Sequence, residues 1–474
     1  MSNLQQRLES RQINMIAIGG SIGTGIFLAS GYSIFVGGPG GALVAYTVMA
    51  VIVYFLMTSL GEMSTFKPSS GSFCDYSNLY VGKSFGFAMG YNYWFNWAIT
   101  IATEISAAAL IMNYWFPHIN PVWFSIVFFL GIFITNLFSV KVYGEVEYWL
   151  SFVKVAVIIV FIVLGIATLY HQPEFGVKRW TIGDAPFHQG WFGFISVFLF
   201  AGFSFQGTEL VGVASGETKN PETSIPKAIK LVFWRLTLFY ILSIGIISLL
   251  IAYNDPRLAT QDNVHMSPYT LVFSNYIGTY AANFINIVIL VALISAANAS
   301  MYSSTRILWY LGTIKQAPNF ITTVNKRGIP IAALILTALV GSVVFISSFV
   351  GNGVVFTYLV QISALCGFLA WFGIALSHYK FRKNILPKLG GVGILKYKAK
   401  FYPWAQIISM VAIVLIIVAQ FITLGEHYNI FDFIMIYSSL ILYFVLYFGH
   451  KIYTKFNLIN KNSPYSKMDE ENVD

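Results

Sequence analysis

Charged residues are scarce in this chain, and their scarcity excludes a soluble fold. Asp, Glu, Lys and Arg make up 10% of the 474 residues, whereas hydrophobic residues make up 57%. A soluble domain has roughly 25% charged residues. No charged residue occurs between Arg11 and Glu62. Because about 20 apolar residues suffice to cross a bilayer as a helix, the composition predicts an all-α polytopic membrane protein.

Cysteine is nearly absent as well. Cys74 and Cys366 form neither a disulfide framework nor a metal-ligand spacing. The seven histidines show no ligand pattern, and no His-Glu-x-x-His motif of a metal-dependent hydrolase is present. We therefore predict no metal, no cofactor and no enzymatic activity. The polar N-terminus leads into a long apolar run without a small-residue cleavage site, so no signal peptide is predicted.

Charge-free intervals and turn residues delimit twelve predicted spans. They cover roughly 13–36, 41–62, 84–114, 122–140, 147–170, 191–216 (interrupted), 231–252, 270–304, 330–350, 354–378, 402–424 and 431–450. An even number of spans places both termini on one side of the membrane. That side receives 24 of the 28 Lys and Arg residues, so the positive-inside rule makes it the cytoplasm. The net charge of +9 is therefore explained by topology, and no nucleic-acid partner is predicted.

The stretch Ile18–Gly25 has four glycines in eight residues, yet it lies inside an apolar run. Glycines loosen a helix, and lipid cannot satisfy the freed backbone groups, so broken backbone at this depth must line a protein-enclosed cavity. A nucleotide-binding loop would need a preceding strand and, for a P-loop, a Gly-Lys-Ser/Thr ending, and neither is present. The pattern predicts a first span broken at a binding site. The alternative is that the glycines only permit close helix packing.

A second interruption, Gly202–Glu209, follows about 185 residues later. Each interruption opens a set of five spans, and a repeated odd-numbered unit must have opposite orientations in its two copies. Two such breaks at matching positions indicate a transporter with its site near the bilayer midplane. The predicted organisation is an N-terminal segment 1–12, a transporter domain 13–450 made of repeats 13–170 and 191–378 with two extra helices in 402–450, and a cytoplasmic tail 451–474.

The first break provides groups that suit an amino acid. The N–H groups of Ser21, Ile22 and Gly23 open a half-helix, whose positive end attracts a carboxylate. Backbone carbonyls near Ala201 and Phe203 in the second break, with those ending the first half-helix, suit an ammonium group. Together these groups predict a site for the part that all α-amino acids share.

Glu104 and Glu209 stand out among the acidic residues within predicted spans, where charge is costly and functional by default. Glu104 in the third span is interpreted as the partner of a cationic substrate side chain, or else as a carboxylate that reaches the outer interface or pairs within the protein. Thr100 of the same span is a further candidate for substrate binding. Glu209 follows the second break, where it can carry a proton, cap freed N–H groups, or do both.

Lys154 lies in the fifth span, seven residues after Glu147. One interpretation is a lysine whose head reaches the cytoplasmic interface. The other is a lysine whose charge takes the place of a coupling cation. Phe203, beside the second break, is a candidate lid over the substrate.

At these residues the chain resembles the amino acid permeases of the amino acid–polyamine–organocation superfamily, most closely the bacterial lysine-specific permeases. The resemblance runs from about residue 10 to 380 and is carried by 15–25, 54–62, 70–73, 202–210 and 370–379. It implies a ten-helix inverted-repeat core with two extra helices. It also implies contacts of the substrate carboxylate at Ser21, Ile22, Gly23 and Thr24.

The resemblance assigns roles to the charged residues too. The lysine-specific members have an acidic residue in span three that falls on Glu104, although there it is an aspartate. In sodium-independent relatives a lysine in span five takes the place of sodium, and Lys154 matches it. Phe203 matches the aromatic lid, and Glu209 matches the acidic position of the second break.

The predicted function is a proton-coupled importer of a cationic L-amino acid, with L-lysine as the leading substrate, in a bacterial cytoplasmic membrane. Its expected partners are the amino acid, protons and the lipid bilayer. One alternative is a permease or exchanger for histidine or another amino acid. The other is a transporter-like receptor that regulates a protein partner through the tail or the loop 379–401.

Overall fold

The computed structural model describes residues 22–69, 71–138, 140–171, 176–213, 221–258, 267–423 and 430–461, and every regular element within them is helical. We number twelve principal helices. They are α1 (25–37), α2 (39–66), α3 (Lys83–Met112), α4 (Val122–Thr135), α5 (Val140–His171), α6 (Gly190–Phe205), α7 (Pro221–Leu250), α8 (Thr279–Thr313), α9 (Ile331–Gly341), α10 (Asn352–Lys380), α11 (Trp404–Thr423) and α12 (Ile430–Lys461).

The twelve-span prediction is confirmed. Nine helices of the described chain are long and apolar enough to cross a membrane, and Val122–Thr135 and Thr237–Leu250 are shorter apolar helices. One of the nine, Gly25–Phe66, is 42 residues long and contains two spans. Gly38 divides it with a φ of 72° and a ψ of 172°, a conformation that glycine adopts without steric cost. This division falls between the predicted spans 13–36 and 41–62, in a stretch where four of the five residues 37–41 are glycines.

Some span boundaries differ from the prediction. The predicted span 270–304 is two helices, Pro268–Tyr276 and α8, because Gly278 between them has a φ of 121°. After α9 the chain continues as a 3-10 turn, Ser342–Ile346, and a short helix, Ser347–Val350. Charge-free intervals alone do not reveal these interruptions, because no charged residue occurs within 268–304 or 331–350.

The structure describes the end of the first predicted break and the whole of the second. Ile22 and Gly23 precede the first helical turn, which begins as a π-helical segment, Gly25–Ala29, and residues 18–21 lie outside the described part of the chain. In the second break α6 ends at Phe205, Gln206 is extended and Gly207 has a φ of 92°. The helix resumes at Leu210–Val213. The second half of the chain is therefore opened by a broken helix.

Helices at equivalent positions of the two halves pack on each other. The α1–α2 segment packs against α6 and α7, and α3 packs against α8 and α10. The backbones of α1 and α6 approach closely at Gly25, where a Cβ atom would lie 2.5 Å from the Cα of Ser204. Small residues allow such approaches in membranes. The crossing brings the two broken helices together in the interior.

Candidate functional site

The start of α1 is capped by a carboxylate from α3. Thr24 donates its backbone N–H to both oxygens of Glu104 at 3.2 Å and its hydroxyl to Oε2 at 2.8 Å. Thr24 has no exposed surface, and Glu104 is 3% exposed. The first N–H groups of a helix have no acceptor within the helix, and the positive end of the helix dipole favours a negative charge. Glu104 satisfies both requirements here.

Gly23 makes room for that carboxylate. A Cβ atom at this position would lie 2.6 Å from Oε1 of Glu104 and 3.1 Å from the Cβ of Ala296 in α8. A side chain would therefore collide with the carboxylate. The absence of a side chain at Gly23 lets α3 and α8 approach the broken end of α1.

The second break is capped by its own acidic residue. Gly207 donates its N–H to the two oxygens of Glu209 at 3.3 and 3.2 Å. Trp371 of α10 donates its indole N–H at 3.3 Å, and Tyr93 of α3 donates its hydroxyl at 3.5 Å. Glu209 is 1% exposed. Its carboxylate joins the break to α3 and α10.

A buried polar network surrounds Thr100. The hydroxyl of Thr100 lies 3.0 Å from that of Ser363 in α10, and Ser363 donates to Oδ1 of Asn96 at 2.8 Å. Gln206, the extended residue of the second break, donates its amide to the carbonyl of Ser363 at 2.8 Å. Thr100 is thus linked to the second break, whereas Glu104, one turn further along α3, reaches the first.

Lys154 is paired inside the protein. Its Nζ lies 3.5 Å from Oε1 of Glu147, and each side chain is 1% exposed. Ser295 of α8 donates its hydroxyl to the two oxygens of Glu147 at 2.9 and 2.8 Å. The charge of Lys154 also acts on Glu104. The structure therefore brings Lys154 into the charged surroundings of the first break.

The remaining predicted residues that the structure describes lie in the interior. Ile22, Ala201 and Phe203 are all buried. The carbonyl of Phe203 accepts the N–H of Gln206 at 3.2 Å, so this carbonyl is engaged within the break. Ser21, a predicted contact of the substrate carboxylate, lies outside the described residues.

Sequence reasoning gave no role to Glu147, Ser295 or Gln206. Glu147 had a local signal, because it precedes Lys154 by two helical turns in an apolar span. Ser295 and Gln206 had none, since a single serine or glutamine in a helix does not show what faces it. In the part of the chain that is described, no group of three or more His, Cys, Asp or Glu side chains is arranged to hold a metal ion.

The arrangement suits a small zwitterion. Helix starts with free N–H groups bind carboxylates, and buried carboxylates pair with cations. At the broken end of α1 the N–H of Thr24 and the carboxylate of Glu104 are bonded to each other, in a region closed from solvent.

The sequence of this chain is similar to those of known permeases. The family profile described as "Amino acid permease" matches residues 12–462. The lysine-specific permease LysP of Escherichia coli (strain K12) is 44% identical over 465 residues, covering 95% of this chain and 94% of that protein. The histidine permease HisP of Lactococcus lactis subsp. cremoris (strain MG1363) is 43% identical over 458 residues, covering 95% of each chain.

A solved structure shares the fold at low sequence identity. It is the crystal structure of the Eremococcus coleocola manganese transporter in complex with an aromatic bis-isothiourea substituted compound. The two chains match with a TM-score of 0.54 and 11% identity, over 95% of this chain and 94% of that one. At this identity the likeness concerns the fold alone, which is that of a membrane transporter.

Proposed function

This chain belongs to the amino acid permease family, and we propose that it is a proton-coupled importer of a cationic L-amino acid, with L-lysine as its main substrate. The lysine-specific permease of Escherichia coli, which matches nearly the full length, supports this substrate.

The observation that carries the proposal is the charge balance at the first break. Among the described residues, the buried charged groups there are Glu104, Glu147 and Lys154. When ionised, they carry one more negative than positive charge. An unbalanced buried charge is costly, so it is paired or neutralised. A cationic substrate side chain or a proton restores the balance, and a neutral side chain does not.

We assign the two ends of the substrate to different groups. The substrate carboxylate binds the N–H groups that open α1, at Ser21, Ile22, Gly23 and Thr24. The ammonium of the lysine side chain pairs with Glu104. Because Glu104 caps Thr24, the substrate has to draw this carboxylate away from the helix end before its own carboxylate can reach Thr24.

Proton coupling is assigned to Lys154 and Glu209. Lys154 supplies a fixed positive charge next to the first break, which supports coupling to protons rather than sodium. Glu209 lies at the second break within reach of Gly207, Tyr93 and Trp371. Protonation of Glu209 would weaken its hold on Gly207 and loosen the break.

The packing supports an alternating-access mechanism. Helices α1, α2, α6 and α7 pack together as one bundle, and in this mechanism the bundle rocks against the other helices, with Phe203 closing over the substrate. The basic excess supports a cytoplasmic location of both termini. In this orientation the protein lies in a bacterial cytoplasmic membrane and works as an importer.

The proposal is tested by uptake of labelled lysine into proteoliposomes under an inward proton gradient without sodium. Unlabelled lysine, arginine, histidine and leucine serve as competitors. We expect gradient-dependent accumulation that unlabelled lysine blocks best. Binding without accumulation would instead support an exchanger, or a receptor that regulates a protein partner.

Histidine is the second candidate substrate. The histidine permease of Lactococcus lactis matches at 43% identity, one percentage point below the lysine permease of Escherichia coli. The lysine-specific permeases have an aspartate where this chain has Glu104. The longer glutamate changes the shape of the pocket for the substrate side chain. If histidine competes best in the same uptake experiment, the substrate assignment changes and the coupling assignment stands.

A further inference from the structure

Glu147 is a fully buried carboxylate to which the proposed transport cycle gives no role. It lies on α5, seven residues before Lys154, which is about 10 Å along a helix axis at 1.5 Å per residue. The charged atoms nevertheless approach to 3.5 Å. The two side chains therefore extend toward each other along the face of α5.

A second helix fixes the carboxylate. Ser295 of α8 donates its hydroxyl to the two oxygens of Glu147, at 2.9 and 2.8 Å, and Ser295 is itself 2% exposed. The next residue, Ala296, lies against Gly23 at the start of α1. The contact between α5 and α8 is thus adjacent to the first break.

Two carboxylates of the described residues interact with the charge of Lys154. Glu147 is on its own helix, and Glu104 of α3 senses its charge. The elements packed against α5 are α7, α8 and Pro268–Tyr276. They contribute the phenols of Tyr240 and Tyr269, which are uncharged at neutral pH, and the hydroxyl of Ser295.

We propose that Glu147 is a positioning residue for proton coupling: it holds the ammonium of Lys154 beside the broken end of α1. The proposal rests on the proposed function, because it deepens the role given there to Lys154. Ser295 orients the carboxylate, and Glu147 in turn orients the ammonium.

The test is the pH dependence of gradient-driven lysine uptake in proteoliposomes. Glu147→Gln removes the negative charge that lies 3.5 Å from the ammonium of Lys154. An opposite charge at this distance changes a titration by about one to three pH units. We therefore expect the midpoint of the uptake profile to move to lower pH by at least about one unit, and Glu147→Asp to restore it at least in part.

Two further variants separate positioning from a merely structural role. Thr168→Val is the matched control on the same helix, because in the described part of the chain the hydroxyl of Thr168 donates within α5, to the carbonyl of Leu164 at 2.9 Å; its profile should equal that of the wild type. If Glu147→Gln folds poorly, the double variant Glu147→Gln/Lys154→Gln removes the buried pair as a unit. Removing both charges of a buried pair is often neutral for stability. We expect it to restore folded protein but not the pH dependence.

The outcomes are distinct. A wild-type midpoint in Glu147→Gln, or a normal profile in the double variant, overturns the role of Glu147 and leaves the proposed function intact. Absence of gradient-driven uptake of both lysine and histidine by the wild-type protein overturns the proposed function, and the role of Glu147 with it.

Discussion

Thr24 gives both of its hydrogen-bond donors to Glu104, which lies 80 positions later in the chain. This relationship joins the broken end of α1 to the middle of α3. It places a carboxylate of the protein at the helix end where the substrate carboxylate is proposed to bind. Binding of a cationic amino acid then has two linked parts, because the same carboxylate that pairs with the side chain must release the helix end.

Glu104→Gln should weaken lysine uptake far more than it lowers the amount of folded protein. A hydrogen bond to a charged group contributes about 1.5–3 kcal/mol, which corresponds to roughly a 10- to 150-fold change in affinity. The measurement is the Kd for lysine in detergent, with gel filtration as the control for folding. Unchanged uptake would show that Glu104 does not bind the substrate side chain.

Gly23→Ala should displace the Glu104 carboxylate, because the added Cβ would lie 2.6 Å from Oε1. We expect uptake to fall at least about tenfold, the equivalent of one lost hydrogen bond of about 1.5 kcal/mol. Gly41→Ala is the control, since the nearest atom to its Cβ would be 3.8 Å away. Equal uptake by both variants would show that the approach of Glu104 to Gly23 is not needed for transport.

Glu209→Gln should reduce the amount of folded protein, because an amide cannot accept from Gly207, Trp371 and Tyr93 as a carboxylate does. Leaving buried donors unsatisfied costs about 1–3 kcal/mol. The coupling assignment predicts a second effect, namely that the folded fraction exchanges lysine across the membrane but no longer accumulates it against a gradient. Accumulation at the wild-type level per folded molecule would leave Glu209 with the capping role alone.

Glu62→Gln should destabilise the protein strongly. Glu62 of α2 has no exposed side-chain surface and accepts from Nε and Nη2 of Arg382 at 2.7 and 2.5 Å. It also accepts the N–H of Ala399 at 2.6 Å. Breaking one side of a buried ion pair costs about 3–5 kcal/mol, and thermal unfolding in detergent measures the loss.

The control for Glu62 is an exposed ion pair at Lys396 and Glu222, whose side chains are 65% and 48% exposed. Lys396→Ala should change the stability by no more than about 1 kcal/mol. A similar loss of Tm in both variants would mean that burial does not set the strength of the Glu62 contact.

The loop before α6 should make stability depend on acid pH. Asp184 accepts from the hydroxyl of Tyr253 at 2.6 Å and lies 2.7 Å from Nδ1 of His188. The hydrogen bond from Tyr253, followed by those from His188 and Gln189, holds the pKa of the Asp184 carboxyl well below its usual range. Such a group stabilises the fold above its unfolded pKa of about 3.9, and that stability is lost as the pH falls through the folded pKa.

Tyr253→Phe removes the largest contribution to that shift. We expect the variant to have a lower Tm at pH 6 and a smaller further loss between pH 6 and pH 3 than the wild type. Tyr280→Phe is the control, since Tyr280 is 94% exposed. If the Tm of Tyr253→Phe falls between pH 6 and pH 3 by as much as that of the wild type, the Tyr253 hydrogen bond does not cause this pH dependence.

Some residues of the site were accessible to local reasoning. Glu104 and Lys154 could be identified as candidates because charged residues are rare in the spans. The glycines of 202–209 indicated the second break. The pair of Glu147 and Lys154 was also within reach, because a spacing of seven places both residues on one helix face. What local reasoning did not give is the partner of each charge on another helix.

The sequence determined the spans, the position of the second break and the family, because hydropathy, glycine clusters and motifs are properties of contiguous residues. Tertiary structure alone decided which side chain meets which break. Glu62 accepts a hydrogen bond from Arg382, which lies 320 positions later in the chain. Glu209 accepts one from Trp371, which lies 162 positions later. Such contacts depend on the rotation and depth of each helix against its neighbours. Packing sets both quantities, and the hydropathy of a single span contains neither.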